Sequence, residues 1–196
     1  MDEARKAALR AAALAARRQL RTGERAAASA AVVERLMRLP ELEGPGVVLL
    51  HAALAEEVDI GGLVGPLRER GARTLFPRVR GDELDLVAAA DLRTLELGYR
   101  GILEPVGPAV AAADVEVVVL PGVAFDPHGG RLGQGGGHYD RLLPTLRPHA
   151  IRIGVCFACQ VVPSVPREAH DEAVDLVVTE RAVYRPTEPR ETDPEH

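Results

Sequence analysis

Five side chains able to carry charge or a proton, Asp126, Arg131, Tyr139, Asp140 and Arg141, crowd one short stretch of this 196-residue chain. Glycines separate them: seven of the sixteen residues from Gly122 to Gly137. Upstream, Val117-Val118-Val119-Leu120 is an apolar run of strand character that breaks at Pro121-Gly122; downstream, His138-Tyr139-Asp140-Arg141 opens a helical pattern. Glycine lets backbone N–H groups turn inward, and the first amides of a helix lack internal partners, so a strand, glycine loop and helix start suit an anion, with phosphate the natural guess. Glycines also serve plain turns, and that reading stays open on the loop alone. The loop is not a Walker sequence, because no lysine follows the glycines, and no acidic residue about 20 positions on completes a dinucleotide fingerprint.

Further charges stand apart in sequence. Lys6, the only lysine, and Arg10 are four residues apart and share one side of an Ala-rich helix expected over residues 3–21. By pattern alone they form a solvated basic face, and Arg17, Arg18 and Arg21 are read as surface residues. Glu56-Glu57-Val58-Asp59 follows an apolar strand and precedes a helix expected over 60–70, where open α/β sheets place ligands and where an acid also caps a helix. Asp175 lies in a run of Val and Leu, where an unpaired carboxylate is costly and a cation is the natural partner. A hydrogen-bonded turn would satisfy Asp171. Cys156 and Cys159 have the spacing of a metal pair, but with two cysteines in all they read as small buried hydrophobes.

The elements that must position these groups alternate. Helices over 3–21 and 24–39 are followed by strands near 47–50, 73–76, 84–89, 117–120 and 151–156, with helices at 60–70 and 138–146 and a loop over 92–107. This is an α/β pattern of a mainly parallel sheet with helices on both faces. Length and composition, 46% hydrophobic and 27% charged, suit one domain, taken as 1–182 with a polar tail over 183–196. A net charge of −5 argues against nucleic acid, and the absence of a long apolar run or an apolar leader argues against a membrane, so a cytoplasmic monomer is expected.

The stretch PGVAFDPHGGRLGQGGGHYDR resembles the signature of the 5-formyltetrahydrofolate cyclo-ligase family, of the form G-x-[AG]-F-D-x-x-G-x-R-L-G-x-G-x-G-[YFH]-Y-D. Outside it, Lys6-Ala-Ala-Leu-Arg10 is similar to the family's K-x-x-x-R, Glu57-Val58-Asp59 to its E-V-D-T, Glu104-Pro105 to its E-P element, Cys156 to Gln160 to A-F-x-x-Q and His170 to Thr179 to H-D-x-x-V-D-x-V-V-T. The resemblance runs from Lys6 to Thr179. It implies a three-layer α/β/α fold related to phosphosugar isomerases and CoA transferases, and an ATP- and Mg²⁺-dependent conversion of 5-formyltetrahydrofolate to 5,10-methenyltetrahydrofolate.

The same resemblance implies the roles. Arg131 and Tyr139 would be catalytic. ATP would lie on Lys6, Arg10, Arg131, Leu132, Gly133, Gln134, Gly135, Gly136, Gly137, His138 and Tyr139. The folate would lie on Glu57, Gln134, Gly135, Gly136, Gly137 and His138, and Mg²⁺ on Asp140 and Asp175. Ile60 stands where the family has Thr, and His138 where Tyr is commoner. Two other classes share these features: a protein that holds reduced folate or nucleotide without turnover, and a relative of the isomerases or CoA transferases that ignores ATP.

Overall fold

The computed structural model describes residues 2–187. Two Ala-rich segments of high helix propensity form α1 (Asp2–Gln19) and α2 (Thr22–Leu36). Arg21 between them is extended, and its backbone N–H donates to the Glu24 carboxylate at 2.8 Å, which caps α2. The chain then runs through β1 (Val47–Leu49), α3 (Val64–Glu69), β2 (Arg73–Arg80), β3 (Glu83–Ala88), β4 (Glu96–Leu97), β5 (Leu103–Glu104), β6 (Ala109–Val110) and β7 (Val117–Pro121). After it come β8 (Ala124–Phe125), β9 (Arg131–Leu132), α4 (His138–Leu142), β10 (Ile151–Val155), β11 (Leu176–Val178) and β12 (Val183–Tyr184).

Eight strands form one sheet in the order β12-β11-β10-β7-β1-β2-β3-β6. The five from β11 to β2 run parallel, and β12, β3 and β6 pair antiparallel at the margins. Successive residues of β7 explain the layers. Val117 and Val119 pack with Val32, Leu36 and Leu67 of α2 and α3, whereas Val118 and Leu120 pack with Phe125, Leu142, Leu143 and Leu146 on the other side. A strand buried on both faces needs apolar residues without alternation, which is why these runs are continuous. The three-layer α/β/α reading therefore holds. Ala13, with the half-buried Leu9, joins a third cluster with Val123, Ala124, Leu132 and Val165, so α1 lies against the glycine loop.

Local differences have local reasons. The helix expected over 60–70 is a 3₁₀ turn at Gly61–Leu63 followed by the short α3, since Gly61 and Gly62 favour helix poorly. The strand expected at 73–76 extends to Arg80, because β2 and β3 turn over on Gly81 at φ +64. Inside the loop expected over 92–107, β4 and β5 make a small ribbon. The helix expected to Leu146 gives way to a 3₁₀ turn at Leu143–Thr145 that contains Pro144. Arg17, read as a surface residue, is buried at 4% exposure, and Cys159, read as buried, is exposed while Cys156 is not. Val183 and Tyr184, at the start of the expected tail, form the edge strand β12; residues 188–196 of that tail lie outside the described residues.

Candidate active site

The ends of β1, β2 and β7, the glycine loop, α1 and the β4–β5 ribbon surround a cleft of about 610 Å³. It sits at the C-terminal ends of the parallel strands, where side chains from different loops converge. Every residue expected to bind ATP or folate lines it: Lys6, Arg10, Glu57, Arg131, Leu132, Gly133, Gln134, Gly135, Gly136, Gly137, His138 and Tyr139, together with Asp140.

The cations are placed by packing. Burying Leu9 and Ala13 against the glycine loop turns the neighbouring face of α1 into the cleft. Arg10 Nε donates to the Gly133 carbonyl at 3.0 Å, and Lys6 Nζ donates to Asp171 at 2.6 Å, with Glu168 at 3.4 Å. Burial pulls the Lys6 ammonium toward neutrality, but Asp171 and Glu168 outweigh it and hold its pKa above the usual lysine value. For Asp171 the burial penalty is likewise overcome, by the bond from Lys6 and the Glu168 backbone N–H, so its pKa stays below the usual carboxylate value. Lys6 and Asp171 are thus a charged pair on the cleft wall.

Arg131, at 7% exposure, is ion-paired to Asp140 through Nη2 and stands 5.8 Å from the centre of the Tyr139 ring. Asp140 Oδ1 also accepts the Glu172 backbone N–H at 3.3 Å. Burial pushes the Tyr139 phenol well above its usual range, and the charge of Glu57 adds to this while Arg131 opposes it. Tyr139 therefore stays a neutral donor throughout the physiological range. Glu57 accepts the Leu54 N–H at 3.1 Å and faces Gln134 Nε2 at 3.4 Å, linking the acidic loop to the glycine loop. His138 is fixed from outside, with Nδ1 3.1 Å from the Asp82 carbonyl and its ring edge-on to Tyr99.

The glycine loop is held open by buried bonds. Asp126, 3% exposed, accepts N–H groups from His128 and Gly130 at 2.9 Å and from Val165 at 2.7 Å. Gly129 has φ +83, and a Cβ there would come within 2.3 Å of the Val174 carbonyl oxygen. Replacing Gly129 by Ala should therefore cost at least about 2 kcal/mol of unfolding free energy in urea titration. A loss below about 0.5 kcal/mol would show that the loop relaxes freely. The helix-start reading is weaker than the sequence suggested, since α4 has only five residues. A dipole that short is small, so the fixed cations carry the electrostatics.

Asp175 is the correction. It precedes β11, and its Oδ2 accepts the Arg152 backbone N–H at 2.8 Å. Because β10 and β11 are parallel, this is the end of the sheet opposite the cleft, and Asp175 does not line it. The carboxylates that this segment brings to the cleft are Glu168 and, four residues before Asp175, Asp171, read from sequence as merely satisfied in a turn. Among the described residues no cluster of three or more metal-ligating side chains occurs. Arg78, between the cleft-lining Pro77 and Val79, pairs with Asp85 at 3.0 Å and donates to the Gly107 carbonyl, and does not itself line the cleft.

Sequence reasoning also missed His51, which lines the cleft at 4% exposure with Nδ1 3.3 Å from the Val119 carbonyl. Only burial could have signalled it. Burial depresses its pKa, so the folded protein holds it neutral while the unfolded chain takes up a proton below about pH 6.5. Stability is therefore lost as pH falls below that value. The loss in unfolding free energy between pH 7.5 and 5.5 should be smaller for His51→Gln than for the wild type. An equal loss in both proteins would sink this reading.

Residues 2–180 match the model of the 5-formyltetrahydrofolate cyclo-ligase family. A 5-formyltetrahydrofolate cyclo-ligase of Mycolicibacterium smegmatis is 31% identical over 140 residues, 67% of this chain and 72% of that one. The probable 5-formyltetrahydrofolate cyclo-ligase of Schizosaccharomyces pombe is 26% identical over 175 residues, 80% of this chain and 86% of the relative. The structure of Aquifex aeolicus 5,10-methenyltetrahydrofolate synthetase superposes with a TM-score of 0.83 at 36% identity, covering 97% of each chain. With cations, glycine loop and acidic loop gathered in one cleft and the match spanning nearly the whole sequence, the chain belongs to the 5-formyltetrahydrofolate cyclo-ligase family.

Proposed function

We propose that the protein converts 5-formyltetrahydrofolate and ATP to 5,10-methenyltetrahydrofolate, ADP and phosphate. The observation that carries this reading is that two kinds of side chain line one cleft. Lys6, Arg10 and Arg131 are one set, and Leu54, Pro77, Val79, Leu84 and Ile102, with the acid Glu57, are the other. The first suits a polyphosphate and the second a planar heterocycle with polar edges.

The formyl carbon of the substrate is a poor electrophile because N5 donates into the carbonyl, and its oxygen is a poor leaving group. Phosphoryl transfer to the formyl oxygen removes both obstacles. N10 then attacks the resulting iminium carbon and loses its proton, and phosphate departs as the ring closes. The protein's part in such a transfer is positioning and charge neutralisation. Arg131, fixed by Asp140, would meet the moving phosphoryl group; Lys6 and Arg10 would hold the remaining phosphates; Gly133 to Gly137 would surround them. Tyr139 would donate a hydrogen bond between the two substrates. Glu57 would accept N–H groups of the pterin, with Gln134 and His138 closing that side.

Mg²⁺ takes few protein carboxylates and fills its shell with water and phosphate oxygens. Asp140 fits that demand, since it lines the cleft and its Oδ2 has no bond among the described residues, whereas Asp171 is engaged by Lys6 and the Glu168 N–H. The ion would neutralise phosphate charge there. No described helix is long and apolar enough to cross a membrane. The reading carries with it a cytoplasmic monomer acting on small molecules and not on nucleic acid. The decisive test is the appearance of the methenyl chromophore with purified protein, Mg²⁺, ATP and 5-formyltetrahydrofolate. Product formed without nucleotide, or none with it, would overturn the proposal.

A further inference from the structure

Lys6, Arg10, Ala13 and Arg17 stand four, seven and eleven residues along α1, so all lie on one stripe of the helix. The first two line the cleft and Ala13 packs on the glycine loop. Arg17 continues the stripe to Glu56, with Nη2 3.5 Å from Oε2, while Arg18 reaches the same oxygen from outside at 3.5 Å. Its guanidinium is incompletely used. Nε and Nη1 are buried and have no partner among the described residues. Buried donors of a charged fork normally find acceptors, and a carboxylate usually takes two of them side by side. Glu56, the acid in contact, is reached by only one nitrogen of Arg17, at the long end of the bonding range, and is partly exposed.

The next residue along the chain is Glu57, which accepts the Leu54 amide and faces Gln134 of the glycine loop. A small shift of this acidic loop toward α1 would let Glu56 engage the unused Arg17 donors and would carry Glu57 with it. We propose that Arg17 is a positioning residue that couples the two halves of the cleft: through Glu56 it ties the helix bearing Lys6 and Arg10 to the loop bearing Glu57. This rests on the cyclo-ligase reading above. Occupation of the nucleotide side then favours the arrangement in which Glu57 meets the folate, and by reciprocity folate tightens nucleotide. Arginine is needed because lysine keeps the charge but has no planar fork.

The test measures 5-formyltetrahydrofolate affinity by calorimetry, alone and with Mg²⁺ and a non-hydrolysable ATP analogue, for wild type, Glu56→Gln and Arg17→Lys. The analogue should tighten folate binding about tenfold in the wild type. In Glu56→Gln that gain should shrink to about twofold or less, with the KM for folate raised and kcat little changed. Arg17→Lys should fall between them. Glu56→Gln keeps an acceptor beside Arg17 but leaves its buried charge uncompensated, so the variant should melt somewhat earlier, and affinities are compared at a temperature where circular dichroism shows all three proteins folded. Equal gains in wild type and Glu56→Gln would overturn the proposal, as would a wild type without any gain, or an Arg17→Lys protein that melts earlier with its gain intact. Failure of the cyclo-ligase reading would show separately, as a wild type that makes no methenyl product.

Discussion

Arg131→Ala is expected to lower kcat/KM by about a thousandfold, the largest effect of any single change in the cleft. Arg131 is the buried cation closest to both Asp140 and the Tyr139 ring, and its charge is aimed by the ion pair and not left to solvent. Its removal also leaves Asp140 with only the Glu172 amide, so stability should drop by about 2 kcal/mol. Arg131→Lys separates the two effects. It restores a positive charge without a planar fork and should recover part of the stability while remaining about a hundredfold below wild type in kcat/KM. Turnover of the methenyl product, measured at a temperature where circular dichroism shows both variants folded, decides the matter. A loss under about tenfold in a folded Arg131→Ala protein would remove Arg131 from the reaction.

Lys6→Met should raise the KM for ATP about fiftyfold, the range expected for one lost charge-assisted phosphate contact. It should also destabilise the fold by about 2 kcal/mol, because the half-buried Asp171 carboxylate loses its closest cation. The double variant K6M/D171N separates binding from folding. It removes both members of the pair and should regain most of the stability, yet none of the ATP affinity. The pair also has a pH signature. The raised Lys6 pKa contributes stability that is complete below about pH 10.4 and lost as pH rises through the folded value. The lowered Asp171 pKa contributes stability that is present above about pH 3.9 and lost as pH falls through the folded value. Urea midpoints at pH 3 and pH 6 should therefore differ less in K6M/D171N than in the wild type. If the double variant binds ATP as the wild type does, Lys6 is a structural cation and no more.

What was legible in the chain followed from chemistry that neighbours in sequence share. Lys6 and Arg10 are one helical turn apart and residues 131–140 follow one another closely, so each group gathers once its local structure forms; that the two groups share a cleft came from the family resemblance, since by pattern alone the helix face is solvated. The continuous apolar runs of β1, β7 and β11 likewise announced a sheet covered on both faces, because a half-exposed strand would alternate.

Asp171 and Asp175 show the limit. Both are acids in the same stretch, four residues apart, and their types do not distinguish them. About 3.3 Å per residue of extended chain separates the cleft from the far end of β11, and only the parallel pairing of β11 with β10 decides which acid faces which. Arg17 and His51 make the same point through burial. In sequence Arg17 is one of several arginines on a basic helix, yet packing of α1 across the glycine loop puts it at 4% exposure with a single acid in contact. The sequence by itself determined the sheet, the glycine loop and the kinds of charge available to a phosphate and a folate. Which of those charges converge, and which are spent on holding the sheet together, was decided by strand direction and helix packing, since these set distances between residues more than a hundred positions apart.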